Sequence, residues 1–468
     1  MNGVSQYLGV FDLLTFSVVC LSFVAVVYLA NRRKSEDKLS AAQYILMGRT
    51  LTLPMFVGTM VATWYGGIFG VTEMAFKEGV HTFVTQGVLW YLAYIIFAFF
   101  IVDKVYHSQA ITLPELVKKL FGPRAGWVAG IFNFFNVVPI VYTINLGILI
   151  AALSGWSLLV STIVGCACIA AYSMIGGFKT IVYTDIIQFV IMCVAVALVL
   201  FFSIYNYGGL EFLQEKLPDH YFAVNGQGTL LTTLAWGWIS LGTLVDPNFY
   251  HRCFAANSPQ TAKRGILMAT VIWCCFDICT VFGSMYAAAL MPDIESNMAY
   301  LHYAMSVLPT GLKGLFIGGI LAAIISTMDS YLFVASNTLS YDLFPKFFGK
   351  FKWHRQLGVA IVAALAILLS FSFDGNIKAI WKLFGSLSAG CLLIPVLLGL
   401  INRHLVSENA FLASTCGGVL GITYWRIFKP EGFYDYIDDL YIGVFVTLFI
   451  ILCFYIFSLT TKSPQKTI

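Results

Sequence analysis

Charged side chains are scarce in this sequence. Asp, Glu, Lys and Arg together make up 11% of its 468 residues, against about 25% in ordinary soluble domains. Hydrophobic residues make up 59%, and the mean hydropathy is +0.84. This balance excludes an ordinary soluble domain and predicts a protein that spans a lipid bilayer. No block of basic residues is long enough to indicate a nucleic-acid partner.

The sequence also lacks the patterns of a metal centre or a catalytic triad. Its eleven cysteines lie in or beside apolar runs without metal-ligand spacing, which indicates small apolar side chains. His107, His220, His251 and His354 lie at predicted helix ends or in loops, away from a buried nucleophile, which argues against an enzyme. No long loop indicates a soluble domain or an obligate protein partner, so we expect the function to lie inside a helical bundle.

Apolar runs of about 20 residues predict thirteen transmembrane helices. They lie near residues 9–30, 51–76, 80–102, 126–153, 157–175, 182–204, 229–250, 265–291, 310–340, 357–373, 379–401, 408–425 and 440–460. Most of the 27 basic residues fall between these spans on one side. The positive-inside rule then predicts an N-terminus outside the cell and a cytoplasmic C-terminus. Residues 113–121 are too few to span and predict an amphipathic cytoplasmic helix.

Two of the spans contain residues that a continuous helix avoids. In "GTMVATWYGGIFGVTE" (58–73), Gly66 and Gly67 lie at mid-membrane, and in "WGWISLGTLVDPNFYHR" (236–252), Pro247 removes a backbone donor. Such breaks are tolerated in lipid only where the freed groups face protein or water. They fall in the second and seventh spans, five apart, as two repeats of five helices after one leading helix require.

Polar side chains lie at the centre of the ninth span, in "GGILAAIISTMDSYLFVASN". At helical spacing Ala323, Ser326, Thr327 and Ser330 share one face, and Asp329 flanks it. An Asp at a membrane helix centre costs roughly 2.5 to 3.5 kcal/mol, so it usually has a partner or a function. Two hydroxyls, a carboxylate and a carbonyl aimed at one point suit a small hard cation. The alternative is a buried structural hydrogen bond for the acid, with hydroxyls bonded to the preceding turn.

A second acid, Asp185, lies one turn into the sixth span, in "GGFKTIVYTDIIQFVIM". This segment, "AAIISTMDSYLFVASN" and "DPNFYHRCFAANSPQTAKRG" resemble the sodium/solute symporter family, and the likeness covers nearly the whole chain. The resemblance implies an all-α integral membrane protein of about thirteen helices, with the five-plus-five inverted repeat of the leucine transporter and two discontinuous helices. It also implies sodium-driven uptake of a small organic solute by alternating access.

On this resemblance the chain is a single transmembrane transporter domain, residues 1–468, in the cell membrane. The leading helix is expected at about 9–30, the first repeat at about 51–204 and the second at about 229–401. Two accessory helices are expected at about 408–460. The expected partners are the sodium ion, the solute and the lipid bilayer.

The resemblance also implies ligands for sodium. Carried over residue by residue, the shared sodium site uses the carbonyls of Ala62, Tyr65 and Ala323 and the hydroxyls of Ser326 and Thr327. Some members bind a second cation, whose ligands here would be Asp185, Asp329 and Ser330. This chain has Asp329 where the sialic-acid-type members have Ser.

The residues at the two breaks point to more than one solute. "ATWYGG" and "STMDS" are similar to the high-affinity choline transporters, whereas the spacing from Pro247 to Arg252 is that of proline and pantothenate carriers. A cationic or quaternary amine such as choline is the first candidate, since Trp64 offers a π-face worth about 2 kcal/mol and Asp246 a countercharge. The alternatives are a zwitterionic amino acid such as proline, or pantothenate, a monocarboxylate or a sugar.

Other residues are expected to line the same pocket; the alternative for Trp64 and Trp90 is a role as packing or interface aromatics. These further candidates are Gly66, Trp90, Tyr142 and Asn145. A channel or a transport-inactive receptor is less favoured, because no repeated selectivity ring appears among the spans.

Overall fold

The computed structural model describes residues 4–32, 40–226, 230–351, 353–373, 377–429 and 437–461. Throughout these ranges the secondary structure is helical, apart from one isolated backbone bridge between Leu51 and Ala256. Nine of the described helices are long and apolar enough to cross a membrane. Four more elements complete the thirteen spans that the sequence predicts. They are the shorter apolar helices Leu158–Ser173 and His354–Ser370, the interrupted segment 230–255 and the helix Glu408–Phe428.

The helices of the first half carry the first break. They are α1 (Val10–Asn31), α2 (Ala41–Leu46), α3 (Leu53–Ala62), α4 (Ile68–Glu78), α5 (Val80–Phe83), α6 (Leu89–Ile96), α7 (Val102–His107), α8 (Leu113–Phe121), α9 (Pro123–Val137), α10 (Ile140–Ser154), α11 (Leu158–Ser173) and α12 (Phe178–Tyr207). Two π-helical turns, Val84–Val88 and Phe97–Ile101, join α5, α6 and α7 into one long span.

The helices of the second half carry the second break. They are α13 (Leu210–Lys216), α14 (Leu230–Ser240), α15 (Pro247–Ala255), α16 (Pro259–Leu290), α17 (Ala299–Val307), α18 (Leu312–Asn337), α19 (Pro345–Phe348), α20 (His354–Ser370), α21 (Ile377–Cys391), α22 (Leu393–Ile401), α23 (Glu408–Phe428) and α24 (Asp439–Thr461). A π-helical turn, Thr338–Leu343, extends α18.

Both predicted breaks are confirmed. At the first break, the second span stops at Ala62, passes through a 3-10 turn at Tyr65–Gly67 and resumes as α4. In the second, a 3-10 turn at Leu241–Val245 follows α14, and α15 begins at Pro247. Proline is well placed there, because the first residue of a helix has no intrahelical partner for its amide.

The structure has a third break that the sequence analysis did not predict. The expected span 126–153 consists of α9 and α10, separated at Val138 and Pro139. Val138 is extended, with φ −64° and ψ 123°, the conformation that a following proline favours. The span predicted at 126–153 is therefore present, but it consists of two helices rather than one.

The boundaries of two other predicted elements can be compared with the structure. The predicted start of the sixth span, residue 182, was late, because α12 begins at Phe178 after the extended Gly177. Asp185 therefore lies two turns into its helix rather than one. The short helix predicted at 113–121 is confirmed as α8, capped by Thr112, whose hydroxyl accepts from the Glu115 amide.

Burial separates the helices into a centre and a periphery. The most apolar stretch of α18 and its π-helical extension is 89% buried, whereas the corresponding stretches of α1 and α24 are 11% and 17% buried. Helix α18 packs along α12 and against the 3-10 turn of the first break. The polar residues of α18 therefore face other helices of the bundle rather than lipid.

Candidate functional site

Hydroxyls of α18 meet the end of α3 at the first break. The Ala62 carbonyl accepts from Ser326 Oγ at 2.8 Å and lies 3.2 Å from Thr327 Oγ1. The same hydroxyls lie 3.2 Å and 3.0 Å from the Ala323 carbonyl. Four of the five predicted sodium ligands are thus in mutual contact. The fifth, the carbonyl of Tyr65, lies three residues beyond the end of α3, and among the described residues it takes no part in these hydrogen bonds.

Two hydrogen bonds hold the non-helical backbone of the first break. The Gly66 amide donates to Thr327 Oγ1 at 2.9 Å, and the Gly66 carbonyl accepts from Asn145 Nδ2 at 2.7 Å. Asn145 is fully buried on α10. Asn145 therefore positions the break. Neither Asn145 nor Gly66 is among the residues that line the neighbouring cavity, although both were predicted to bind the solute.

A cavity of about 180 Å³ lies beside the first break. Four of the six predicted solute-binding residues line it, namely Trp64, Trp90, Tyr142 and Asp246. The other lining residues that bear on its chemistry are Tyr65, Gln86, Asn136, Trp236, Thr243, Asp277, Tyr331, Phe384 and Ser388. Among the described lining residues there are two carboxylates and no Lys, Arg or His.

Asp246 connects this cavity to the second break. It caps the N-terminus of α15, where its Oδ1 accepts from the amides of Asn248 at 2.8 Å and Phe249 at 3.2 Å. A carboxylate at this position is stabilised by the exposed amides and by the positive end of the helix dipole. Within the described part of the chain no donor contacts Oδ2, which leaves that oxygen for the cavity.

A second cavity acid, Asp277 on α16, was missed by the sequence analysis. Its Oδ1 accepts from the Tyr65 hydroxyl at 2.5 Å, and its Oδ2 accepts from the Tyr91 hydroxyl. The side chain is buried. The signal was available, since "WCCFDICTV" places one acid within an apolar span, the criterion that singled out Asp329.

Trp64 is both packed and exposed to the cavity. Its ring meets Tyr94 and Phe249 edge to face, with centroids 5.6 Å and 5.7 Å apart, and lies 5.8 Å from Trp273. These contacts fix the orientation of the indole ring. The packing and binding roles that the sequence left open are therefore compatible in one residue.

The residues predicted to bind a second cation have different partners in the structure. The Asp329 carboxylate accepts from the hydroxyls of Tyr172 and Ser173 on α11. Asp185 accepts instead from Thr59 Oγ1 on α3, at 2.5 Å. The carboxylate of Asp329 thus faces α11 and does not join the hydroxyls that meet Ala62.

The Sodium:solute symporter family model matches residues 44–417 of the chain. The chain belongs to this family. It is therefore a sodium-coupled solute symporter, a multi-pass membrane transporter and not an enzyme.

Individual relatives agree with this assignment. The "Sodium/proline symporter" of Escherichia coli K12 is 24% identical over 97% of this chain and 94% of its own length. The "Sodium/glucose cotransporter 4" of Mus musculus is 26% identical over 73% of this chain and 56% of its own length. The "Sodium/pantothenate symporter" of E. coli K12 is 26% identical over 54% of this chain and 55% of its own length.

Solved structures show the same fold. A Na⁺-coupled sialic acid symporter in a substrate-bound outward-open state has a TM-score of 0.76 at 15% identity, covering 96% of this chain and 98% of that one. MhsT in complex with L-phenylalanine has a TM-score of 0.54 at 14% identity, covering 86% and 98%. The predicted leucine-transporter-like fold is thereby confirmed, and both of its predicted discontinuous helices are present.

Proposed function

We propose that the solute carried with sodium is a small cationic amine, bound in the cavity between the two breaks. One observation carries this proposal: the described lining residues include Asp246 and Asp277 but no basic side chain. A cation 4 Å from a carboxylate gains about 4 kcal/mol at an effective dielectric constant of 20. An anionic solute placed in the same cavity would be repelled by about as much.

The two acids differ in how much of their charge is free for a solute. Both oxygens of Asp277 already accept from tyrosine hydroxyls, and such bonds offset part of the carboxylate's charge. Asp246 keeps Oδ2 free of a described donor. We therefore assign the direct contact with the ammonium group to Asp246.

The aromatic lining suits the same kind of solute. Trp64, Trp90 and Trp236 all face the cavity. The ring centroids of Trp90 and Trp236 lie 6.3 Å apart, and the ring planes are inclined at 44°. The two rings therefore line adjacent sides of the cavity. Indole faces attract desolvated cations, and they bind quaternary ammonium groups that lack any hydrogen-bond donor.

We also propose that the coupling sodium binds where α18 meets the first break. Its ligands would be the carbonyls of Ala62, Tyr65 and Ala323 with the hydroxyls of Ser326 and Thr327. The mutual contacts of four of these groups support the assignment. On binding, sodium would contact these oxygens directly and would replace the hydrogen bonds that the two hydroxyls donate to the carbonyls.

We also propose the boundaries of the two repeats and the orientation of the chain in the membrane. The breaks in the second and seventh spans support a first repeat at 51–204, a second at 229–401 and accessory helices at 408–460. The distribution of basic residues supports an outside N-terminus and a cytoplasmic C-terminus.

A zwitterionic amino acid such as proline is the second candidate solute. It is favoured by the E. coli relative named "Sodium/proline symporter", which aligns with 97% of this chain. The carboxylate of such a solute would need donors, and Gln86, Thr243 and Ser388 line the cavity. In this case Asp246 would still bind the amine.

Ligand-dependent stabilisation of the purified protein tests the proposal. We expect choline and tetramethylammonium to raise the melting temperature in the presence of Na⁺, with proline and glucose giving no shift, because only a ligand of the folded state stabilises it. Asp246→Asn keeps a capping oxygen but removes the charge, so it should weaken amine binding at least about tenfold.

Asp293→Asn is the matched control, since Asp293 is exposed in the loop after α16. It should bind the amines like the unmodified protein. Stabilisation by proline alone would favour the second candidate. Unchanged amine binding by Asp246→Asn would show that the carboxylate does not contact the solute.

A further inference from the structure

A groove on the outer surface of the bundle lies between the leading helix α1 and α12. Its volume is about 500 Å³, which is within the range of ligand pockets. The groove opens toward lipid, since the most apolar stretch of α1 is only 11% buried. Most of its described lining residues are aliphatic, and the full set is Val26, Leu29, Ala30, Lys179, Tyr183, Ile186 and Ile187. None of them lines the cavity between the two breaks.

Lys179 is the charged residue among those that line this groove. Its Nζ lies 5.5 Å from the centroid of the Tyr183 ring, one turn further along α12, a distance at which a cation–π contact forms. Within the described part of the chain, its ammonium group has no carboxylate partner and donates no hydrogen bond to a protein atom. All three of its N–H donors are therefore free for an anion.

A second cation lies at the same end of the groove. Asn31 is the last residue of α1, and its Oδ1 accepts from Thr180 Oγ1, next to Lys179, at 3.1 Å. This bond brings Arg32, which is exposed, to the end of the groove where Lys179 lies. Lys179 is also the second residue of α12, where free amides and the helix dipole add positive charge. Both cations thus lie where the two helices leave the apolar layer, at the depth of lipid headgroups.

We propose that this groove binds one phospholipid that has an anionic headgroup. The phosphate would contact Lys179 and Arg32, and an acyl chain would lie between the aliphatic walls. Basic pockets between transmembrane helices are typical sites for anionic headgroups. A free phosphate would use none of the aliphatic surface, and a zwitterionic lipid carries a positive group that the two cations repel.

The headgroup must supply the selectivity of this site. Lipid chains are as apolar as the groove, so an acyl chain gains no hydrophobic free energy by moving into it from the surrounding lipid. The groove therefore decides where a chain lies, and the two cations decide which lipid is retained. The proposal does not rest on the proposed solute or on the proposed sodium site. The proposed orientation of the chain places the groove in the cytoplasmic leaflet.

Native mass spectrometry of the delipidated full-length protein tests the headgroup preference. The probes are palmitoyl-oleoyl phosphatidylglycerol, which is anionic, and the phosphatidylcholine with the same chains. We expect one phosphatidylglycerol per monomer, bound at least about fivefold more tightly than phosphatidylcholine, because each cation near a headgroup is worth about fivefold in binding. Lys179→Gln should weaken phosphatidylglycerol binding about fivefold and leave phosphatidylcholine binding unchanged.

Lys263→Gln is the matched control for the charge. Lys263 is also a half-buried lysine near the start of a long span, α16, and its Nζ lies 4.2 Å from the centroid of the Phe99 ring. It does not line the groove. This variant should bind phosphatidylglycerol like the unmodified protein.

A second pair of variants tests the groove itself. Ala30→Trp fills the groove with an indole ring and should weaken binding of both lipids at least about tenfold, because an excluded chain loses many dispersion contacts together. Ala25→Trp adds the same ring at an exposed position of α1 outside the groove and should change neither affinity. Glycerol phosphate, a headgroup without chains, should not raise the melting temperature of the protein.

Several outcomes would overturn the proposal. Equal affinities for the two lipids, or unchanged phosphatidylglycerol binding in Lys179→Gln, would show that the cations do not select a headgroup. Equal lipid binding by Ala30→Trp and Ala25→Trp would place the lipid elsewhere. Stabilisation by glycerol phosphate would indicate a free-anion site, and a dimer that excludes phosphatidylglycerol would make a second copy of the chain the occupant. The assays contain neither solute nor an imposed sodium gradient, so their failure would leave the proposed function intact.

Discussion

At the scale of single residues, two adjacent hydroxyls on α18 hold the first break closed. Ser326 and Thr327 each bond to a carbonyl of the preceding turn, as the sequence analysis allowed, and each also reaches the Ala62 carbonyl of α3. A hydroxyl has one proton but two lone pairs. Each can therefore satisfy a carbonyl without sodium and still offer an oxygen to the ion.

Removing both hydroxyls should weaken sodium activation far more than folding. We expect Ser326→Ala with Thr327→Ala to raise the sodium concentration for half-maximal uptake at least about tenfold, since two oxygen ligands are lost. The free energy of unfolding in Na⁺-free buffer should fall by only about 1 kcal/mol for each lost hydrogen bond.

The pair Ser414 and Thr415 provides the control for that experiment. These two buried residues lie side by side on α23, which packs mainly against α24 and α21. Ser414→Ala with Thr415→Ala should leave sodium activation unchanged. Equal effects of the two double variants would mean that the α18 hydroxyls serve only packing.

Trp64 is expected to act through its π-face. Trp64→Ala should raise the KM for a cationic amine about 30-fold, which corresponds to a cation–π contribution of about 2 kcal/mol. Trp64→Phe should raise it less, because a smaller face remains. Trp127→Ala removes a tryptophan that is 48% exposed on α9 and should have no effect. An unchanged KM in both Trp64 variants would assign the ring to packing alone.

At the scale of elements, the first break is shaped by the close approach of α18. A Cβ atom at Gly66 would lie 2.5 Å from Thr327 Cβ and 2.7 Å from Tyr142 Cδ1, closer than carbon atoms can pack. The absence of a side chain thus lets the unwound backbone reach the Thr327 hydroxyl. The hydrogen bond that Asn145 on α10 donates holds the carbonyl of the same residue, which belongs to the next peptide group.

A methyl group at Gly66 should separate α3 and α4 from α18. We expect Gly66→Ala to reduce sodium-dependent uptake at least about tenfold at normal expression, with a cost of about 1 to 3 kcal/mol from overpacking. Gly237→Ala on α14 is the control, since the nearest atom to a Cβ there, on Leu89, is 3.6 Å away. Uptake by Gly66→Ala at the level of the control would contradict this account of the break.

At the scale of the whole molecule, the proposals fix how much charge crosses the membrane. One sodium ion with a monovalent amine carries about two positive charges per cycle, and each is worth about 2.3 kcal/mol per 100 mV. An inside-negative potential of about 100 mV should therefore raise amine accumulation about 50-fold for each charge moved. Simultaneous current and tracer uptake in proteoliposomes gives the charge-to-solute ratio.

The control uses the same vesicles without an imposed potential. A ratio of about one would indicate a zwitterionic solute with one sodium ion, and a ratio of about three would indicate two sodium ions with an amine. The first result would contradict the cationic solute, and the second would show that the transporter uses more than the one proposed sodium site.

The sequence by itself determined the class of protein, the thirteen spans, the two predicted breaks and the family. Hydropathy and glycine or proline within an apolar run are local properties, and lipid forces each run to satisfy its own backbone as a helix. The residues of the proposed sodium site were predicted from short family motifs, which are also local features of the sequence. The break at Pro139 was missed because a proline inside a membrane helix does not always end it.

Only the tertiary structure decided which polar groups meet. Helical spacing put Asp329 beside the hydroxyls of Ser326 and Thr327, but the position of α11 gives it Tyr172 and Ser173 as partners. Asp185 and Thr59 are 126 positions apart in the sequence and Asp277 and Tyr65 are 212 apart. Such pairs depend on how the helices cross, and hydrophobic periodicity along a single helix carries no information about its neighbours.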